Sequence, residues 1–355
     1  MKLLLQWTIA IPILAWALYF SGIINQTGVY QLLAGVLLMA SVLSAVHHSE
    51  IIAHRVGEPY GTIILAVSIT IIEVSIIISL MLSGGAEAAA LARDTVFSAT
   101  MLIINGIVGL CLFIGGIKHH EQIFSKHSAT IALVSLVAIV VLTLVFPSYT
   151  TSVAGPYYST PQLLFVSVTC LAIYGCFLFA QTKRHREYFL TDAEPNQPQA
   201  VHVSNKTLGI SLLFLLLSLG VVVLLAKTLS PTIEAIVLHN HLPKALVGVV
   251  IATVILLPEG IAAIIAARRN RLQTSLNLAL GSALASIGLT IPCVSLASIY
   301  LNINVILGLD IKSIILLGLS VFTVMLSLSS GRTNLVYGAV LLVNLAAYVF
   351  LIIYP

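Results

Sequence analysis

The stretch GTIILAVSITIIEVSIIISLMLS, from Gly61 to Ser83, carries a single charge, Glu73, near its middle. An apolar run of this length crosses the hydrocarbon core of a bilayer as one helix, which needs about 20 residues. The run is continuously apolar rather than alternating, so a lipid-facing barrel strand does not fit it. Ten more runs of the same kind follow on either side, at 3–24, 30–53, 94–117, 128–147, 161–181, 207–229, 245–267, 273–300, 303–328 and 334–354. The whole chain agrees: of 355 residues 59% are hydrophobic and 8% charged, and the mean hydropathy is +1.10. An ordinary soluble chain is about 25% charged. The expected fold is therefore an all-α polytopic membrane protein with about eleven transmembrane helices. A soluble enzyme, a secreted disulfide scaffold and a nucleic-acid-binding module are excluded. The first run follows Lys2 like a signal peptide, but it is long and lacks a small-x-small cleavage site, so it reads as a retained helix. Cys111, Cys170, Cys176 and Cys293 all fall in apolar runs without CxxC spacing and read as packing residues.

Charge in the connections predicts the orientation. With the N-terminus inside, the inner side holds Lys2, Arg55, Lys118, Lys126, Lys183, Arg184, Arg186, Lys206, Arg268, Arg269, Arg271 and Arg332. The outer side holds Arg93, Lys227, Lys244 and Lys312. This bias places the N-terminus in the cytoplasm, and an odd number of spans then puts the C-terminus outside. The longest polar stretch, Thr182–Lys206, lies inside and reads as a flexible linker between two halves.

The halves resemble each other. The third run has Glu73 at its centre, and the eighth has Glu259 within Leu257-Pro258-Glu259-Gly260. Each is followed by a helix rich in small and hydroxyl residues, Ser98 to Gly106 in one half and Gly281 to Gly288 in the other. Each is preceded by a helix end with Glu and His: His47, His48 and Glu50 in the first, Glu234, His239 and His241 in the second. Matching runs are five spans apart, so the two copies have opposite orientation. That is the inverted repeat of a secondary transporter, with its substrate near the midplane.

Glu73 and Glu259 carry the chemistry. By helical rise they lie roughly 18 Å and 12 Å from the cytoplasmic ends of their helices. A carboxylate at such depth costs on the order of 3 kcal/mol to insert, so it needs a partner, a cavity or a proton. Desolvation and a second carboxyl both favour the protonated form, and an arriving cation displaces the protons. Pro258 removes a helix hydrogen bond, and a break there would free carbonyl oxygens for a cation. Ca²⁺ takes six to eight oxygens. The two glutamates, with Thr70, Thr253, Asn105, Ser282 and Ser286, supply candidates.

These residues resemble a known family. Gly57-Glu58-Pro59-Tyr60-Gly61 with Ile72-Glu73-Val74-Ser75, and Leu257-Pro258-Glu259-Gly260 with Gly281-Ser282 and Pro292, are similar to the motifs of the cation/proton exchangers of the calcium/cation antiporter superfamily. The group most resembled is the bacterial calcium/proton antiporters, some of which also export sodium and potassium. The resemblance runs from about Tyr30 to Tyr354. It implies an extra helix at 1–25, a first five-helix inverted repeat at 26–181, a linker at 182–206 and a second repeat at 207–355. It further implies Glu73 and Glu259 as the site of metal cation and proton, and a bacterial inner membrane location. The ions moved would be Ca²⁺, or Na⁺ and K⁺, against H⁺, with no cofactor; the partners would be these ions and membrane lipid, with no nucleic acid. There are departures from the pattern. The Gly-Asn that precedes each family glutamate is Thr70-Ile71 and Leu257-Pro258 here, Ala285 replaces a glutamine, and Thr100-Met101 replace Gly-Ser. The acidic helix that some relatives carry in the central connection is absent.

His47, Glu50 and His54 share one helix face. They suggest a proton or cation access relay of His47 and Glu50, with Glu234 as the counterpart of Glu50 on the other side. The competing reading is an intramembrane metal-dependent enzyme using that face, although no helical HExxH is present.

Overall fold

The computed structural model describes residues 2–25, 28–56, 60–84, 89–189, 204–239, 243 and 245–354. Thirteen α-helices account for nearly all of them. They are α1 (Lys2–Phe20), α2 (Val29–Val56), α3 (Tyr60–Gly84), α4 (Leu91–Met101), α5 (Val108–His119), α6 (Lys126–Val140), α7 (Thr160–Phe179), α8 (Arg186–Phe189), α9 (Asn205–His239), α10 (Ala245–Arg268), α11 (Leu272–Leu301), α12 (Ile311–Ser329) and α13 (Leu335–Ile353). A π-helical turn at Leu102–Ile107 joins α4 to α5 into one long apolar helix, Leu91–His119. Similar turns extend α6 and α7. Among the described residues the extended pairing is limited to one isolated bridge, Ile123 with Arg332. Every one of the eleven expected spans is helical over most of its length. The tenth is the partial exception. Asn302, in the left-handed region at φ 53, ends α11, and residues 303–309 then form no regular element before α12 begins at Ile311.

The chain divides into two compact units, and each draws on both sequence halves. The first unit contains residues 1–88 and 196–242. Here α2 packs against α1, α3 and α9. Ala15 of α1, Ala34 of α2, and Val221, Leu225 and Leu229 of α9 form a buried apolar cluster joined by Trp16, whose indole N–H donates to the Leu217 carbonyl at 3.0 Å. Lipid is as apolar as these side chains, so close fit rather than escape from water holds such helices together.

The second unit contains residues 89–195 and 243–355. Here α10 packs on α4 and α11, α11 on α6 and α7, and α13 on α5. The α5–α13 contact is a glycine face. A Cβ on Gly338 would collide with the Phe113 backbone nitrogen, and one on Gly109 would come to 3.1 Å from Leu341. Three connections at one end are tied by Gln122, which donates through Nε2 to the Ala267 carbonyl and Asn270 Oδ1 and through its backbone N–H to Thr333 Oγ1, while its carbonyl accepts from the Thr333 N–H. At the other end the non-helical segment 303–309 gives its backbone donors to carbonyls of other segments. Ile306 N–H donates to Ala89 O, Gly308 N–H to Pro156 O, and Leu309 N–H to Leu144 O. These bonds let irregular backbone lie inside an apolar protein.

Candidate cation site

In the first unit Glu73 sits near mid-length of α3 and is 2% exposed. It belongs to a buried stripe of Ile69, Ile72, Ile76, Ile77 and Leu80 at helical spacing, while Val67 and Ile71 face outward. Thr70, one turn earlier, shares that face and is also buried. Serines and threonines in helices usually donate to the carbonyl one turn back. Ser68 does so toward Ile64, whereas the Thr70 hydroxyl has no hydrogen-bond partner. The buried Thr70 hydroxyl and the buried Glu73 carboxyl thus lie one turn apart on the same face of α3.

In the second unit Glu259 is 8% exposed on α10, nine residues from its C-terminal end at Arg268. Its antiparallel neighbour α11 begins at Leu272, so the level of Glu259 on α11 falls near Gly281 and Ser282, about 14 Å along. Ser286, one turn further on the same face, is buried and Ser282 is half-buried. The expected helix break at Pro258 is absent. α10 runs unbroken from Ala245 to Arg268 with Pro258 inside it. Neighbouring helices support the turn, and what the proline removes is the N–H that Val254 O would otherwise accept.

Two other expected ligands are placed differently. Thr253 is on the exposed face of α10 and donates to the Val249 carbonyl at 2.7 Å, so the structure does not bring it to the side of Glu259. Asn105 is fully buried in the π-helical turn, and its Nδ2 donates to Ser320 Oγ of α12 at 2.9 Å. Its Oδ1 has no partner. Wide turns of this kind recur at functional sites.

Of the access residues, Glu50 is exposed near the end of α2 and His47 is half-buried with its ring 6.5 Å from that of Trp7. The side chains of His54 and Glu234, and all of Gly57, Glu58, Pro59 and His241, lie outside the described residues. Among the described residues no group of three or more His, Cys, Asp or Glu side chains is arranged to hold a metal. All four cysteines are free thiols: Cys111 and Cys170 are buried, but Cys176 and Cys293 are exposed on helix surfaces rather than packed.

The residue that sequence reasoning passed over is Asp94. Arg93 Nε and Nη2 both lie 2.8 Å from Asp94 Oδ1, and Nη1 donates to the Gly308 carbonyl at 3.2 Å. Asp94 and Arg93 line a cavity of about 190 Å³ with Asp310, Lys312 and Tyr348. Lys312 does not extend freely to the surface as its position suggests. Its Nζ donates to Leu351 O in the last turn of α13, where a helix dipole favours a cation. The adjacent Arg93-Asp94 in the sequence was the available signal.

Comparison with known proteins adds to this geometry. The sodium/calcium exchanger protein family matches the chain twice, over residues 27–183 and again over 210–354. A Sinorhizobium fredii protein described as an ionic transporter is 44% identical over 331 residues, covering 93% of this chain and 90% of its own. The sodium-potassium/proton antiporter ChaA of Escherichia coli is 34% identical over 349 residues, covering 96% and 94%. The solved structure of YfkE shares the fold with a TM-score of 0.75 at 17% identity, covering 98% of this chain and all of that one. The intramembrane-enzyme reading is set aside with these matches. The chain belongs to the sodium/calcium exchanger protein family and is a membrane transporter, not an enzyme.

Proposed function

We propose that this protein is a secondary antiporter that exchanges a cation for protons, with both species competing for Glu73 and Glu259. The observation that carries the reading is the burial of one glutamate at depth in each of the two stretches that the family matches. Two buried carboxyls cannot both stay ionised without a compensating positive charge. Protons and cation are therefore alternative occupants, and exchange needs neither a nucleotide nor a covalent intermediate. Thr70, Ser282, Ser286 and the free Oδ1 of Asn105 are the supporting oxygens, and Glu50, His47 and Glu234 tune access. Ca²⁺, Na⁺ and K⁺ are the candidate cargoes, and two relatives named for such exchange, one for sodium and potassium and one for calcium, support that set. The charge bias of the connections supports an N-terminus inside, and export from the cytoplasm is the direction proposed.

The test is cation-driven proton flux in liposomes with a panel of Ca²⁺, Na⁺ and K⁺. Glu73→Gln and Glu259→Gln should each abolish flux in a folded protein, since the amide resembles the protonated acid in shape. Substantial residual exchange in either variant would refute the assignment. A passive leak driven by no proton gradient would instead indicate a channel.

A further inference from the structure

The first helix lies ahead of both stretches that the family matches, and it carries Pro12 inside it. A proline has no N–H to give to the carbonyl four residues earlier, which here belongs to Thr8. Thr8 is fully buried, so that carbonyl needs donors from elsewhere. α2 supplies them. Ser44 Oγ donates to Thr8 O at 2.6 Å, and His48 Nε2 lies 3.4 Å from the same oxygen. Both side chains also touch α9: Ser44 meets Ser218 at 3.3 Å, and the His48 ring stacks on Phe214 with centroids 5.7 Å apart. The backbone oxygen freed by one proline therefore sits where three helices meet.

His48 is 0% exposed, and its Nδ1 has no hydrogen-bond partner. With Nε2–H donating to Thr8, Nδ1 is the bare acceptor of a neutral imidazole. A second proton would add an N–H without an acceptor, and a charge, at a fully buried position. The surroundings offer little compensation. α1 faces His48 with the Thr8 carbonyl and α9 faces it with Phe214, neither charged. On α2 the titratable neighbour is His47, itself basic, with its ring 5.7 Å away, and Glu50 is exposed beyond it. The third helix on α2, α3, has Glu73 as its one charged residue.

We infer that Thr8 and His48 form a proton-sensitive latch, in which neutral His48 holds the Thr8 end of α1 against α2 and α9 and protonation releases it. The latch acts on the docking of α1 and is independent of which cation is carried.

Both tryptophans of the chain, Trp7 and Trp16, are on α1, so intrinsic fluorescence reports on that helix. A Trp16→Phe, His47→Gln background leaves Trp7 as the sole emitter and removes quenching by a protonated His47. In lipid nanodiscs its emission should shift to the red as pH is lowered from 8 to 5. Adding His48→Gln, which donates at every pH, should remove the shift. Pro12→Ala returns an N–H for Thr8 O within α1 and should also remove it. Emission that does not respond to pH in the background, or a shift that survives His48→Gln, overturns the inference. A Pro12→Ala protein that titrates like its parent overturns the role of the freed carbonyl, even if the His48 variant fails to fold. Because the readout needs no transport, loss of antiport activity and loss of the latch are told apart.

Discussion

Gly248 of α10 rests directly on the backbone of Asp94 at the start of α4: a Cβ on the glycine would come to 2.8 Å from the Asp94 carbonyl carbon and 2.9 Å from Thr95 N. Glu259 follows eleven residues later, about three turns on and on the same face of α10. The close approach at Gly248 therefore fixes the seat of the helix that carries the carboxyl. Gly248→Ala should force the two helices apart at a cost of about 1–3 kcal/mol. The expected result is a lower unfolding temperature in detergent together with a loss of exchange. Wild-type flux in this variant would show that the seat of α10 does not govern the site.

Gly338 seats α13 in the same way, and more tightly. An added Cβ would collide with the Phe113 nitrogen and approach the Gly109 carbonyl oxygen at 2.7 Å. Both contacts are backbone, so no flexible side chain can yield. Gly338→Ala should reduce the yield of folded protein, whereas Gly318→Ala, with no atom near its Cβ position, should not. Size-exclusion profiles of the two variants compare them directly.

The Asn105–Ser320 bond ties the π-helical turn to α12. Ser320→Ala leaves Asn105 Nδ2 without its oxygen acceptor in a fully buried place, at a cost of about 1–3 kcal/mol. If Asn105 Oδ1 is a supporting ligand of the cation, the variant should also weaken cation affinity without altering its dependence on pH. Unchanged affinity in a destabilised protein would restrict Asn105 to packing.

The start of the linker, through Phe189, is helical rather than the flexible connection its composition suggests. It extends the end of α7 and forms α8, where Phe189 is buried, Asn277 Nδ2 donates to the Phe189 carbonyl at 2.7 Å, and Tyr188 stacks on His127 and His185. Deleting several residues within 190–203 should leave exchange intact. Asn277→Ala should lower stability by about 1 kcal/mol. An inserted but inactive deletion variant would give the segment a coupling role.

What was legible in the sequence follows the physics of each signal. Span positions were readable because bilayer thickness sets their length. Glu73 and Glu259 stood out because a carboxyl alone in such a run is costly to insert unless it binds something. The non-helical segment at 303–309 was not readable, since Ile303, Val305, Ile306, Leu307 and Leu309 are as apolar as helix residues and the stop is a single left-handed Asn302. Nor was the fate of Thr253, because apolar residues surround it on every side of α10 and periodicity cannot select a face. On α2, spacing pointed to His47, Glu50 and His54, yet the side covered by α1 and α9 is that of Ser41, Ser44 and His48. Which face a neighbouring helix covers is a tertiary fact that one helix's sequence does not contain.

The pH dependence of cation affinity tests the proposed mechanism most directly. If Glu73 and Glu259 hold protons when the site is empty of cation, binding must release them. Affinity then rises with pH through the titration range of the pair and levels off once both are ionised. The sign is set by competition: protonation favours the cation-free state, so acid weakens binding. Below that range, log affinity should climb with a slope of about two per pH unit for Ca²⁺ if both protons leave, and about one for Na⁺ or K⁺ if a single proton leaves. Release matched to cation charge keeps the loaded and unloaded sites at the same net charge, so exchange should be insensitive to a clamped membrane potential. Isothermal titration of the purified protein between pH 6 and 9 measures the slope, and proton release in two weakly buffered solutions gives the count independently. An affinity that does not change with pH, or a slope unaltered in Glu73→Gln and Glu259→Gln, would mean that the protons bind elsewhere.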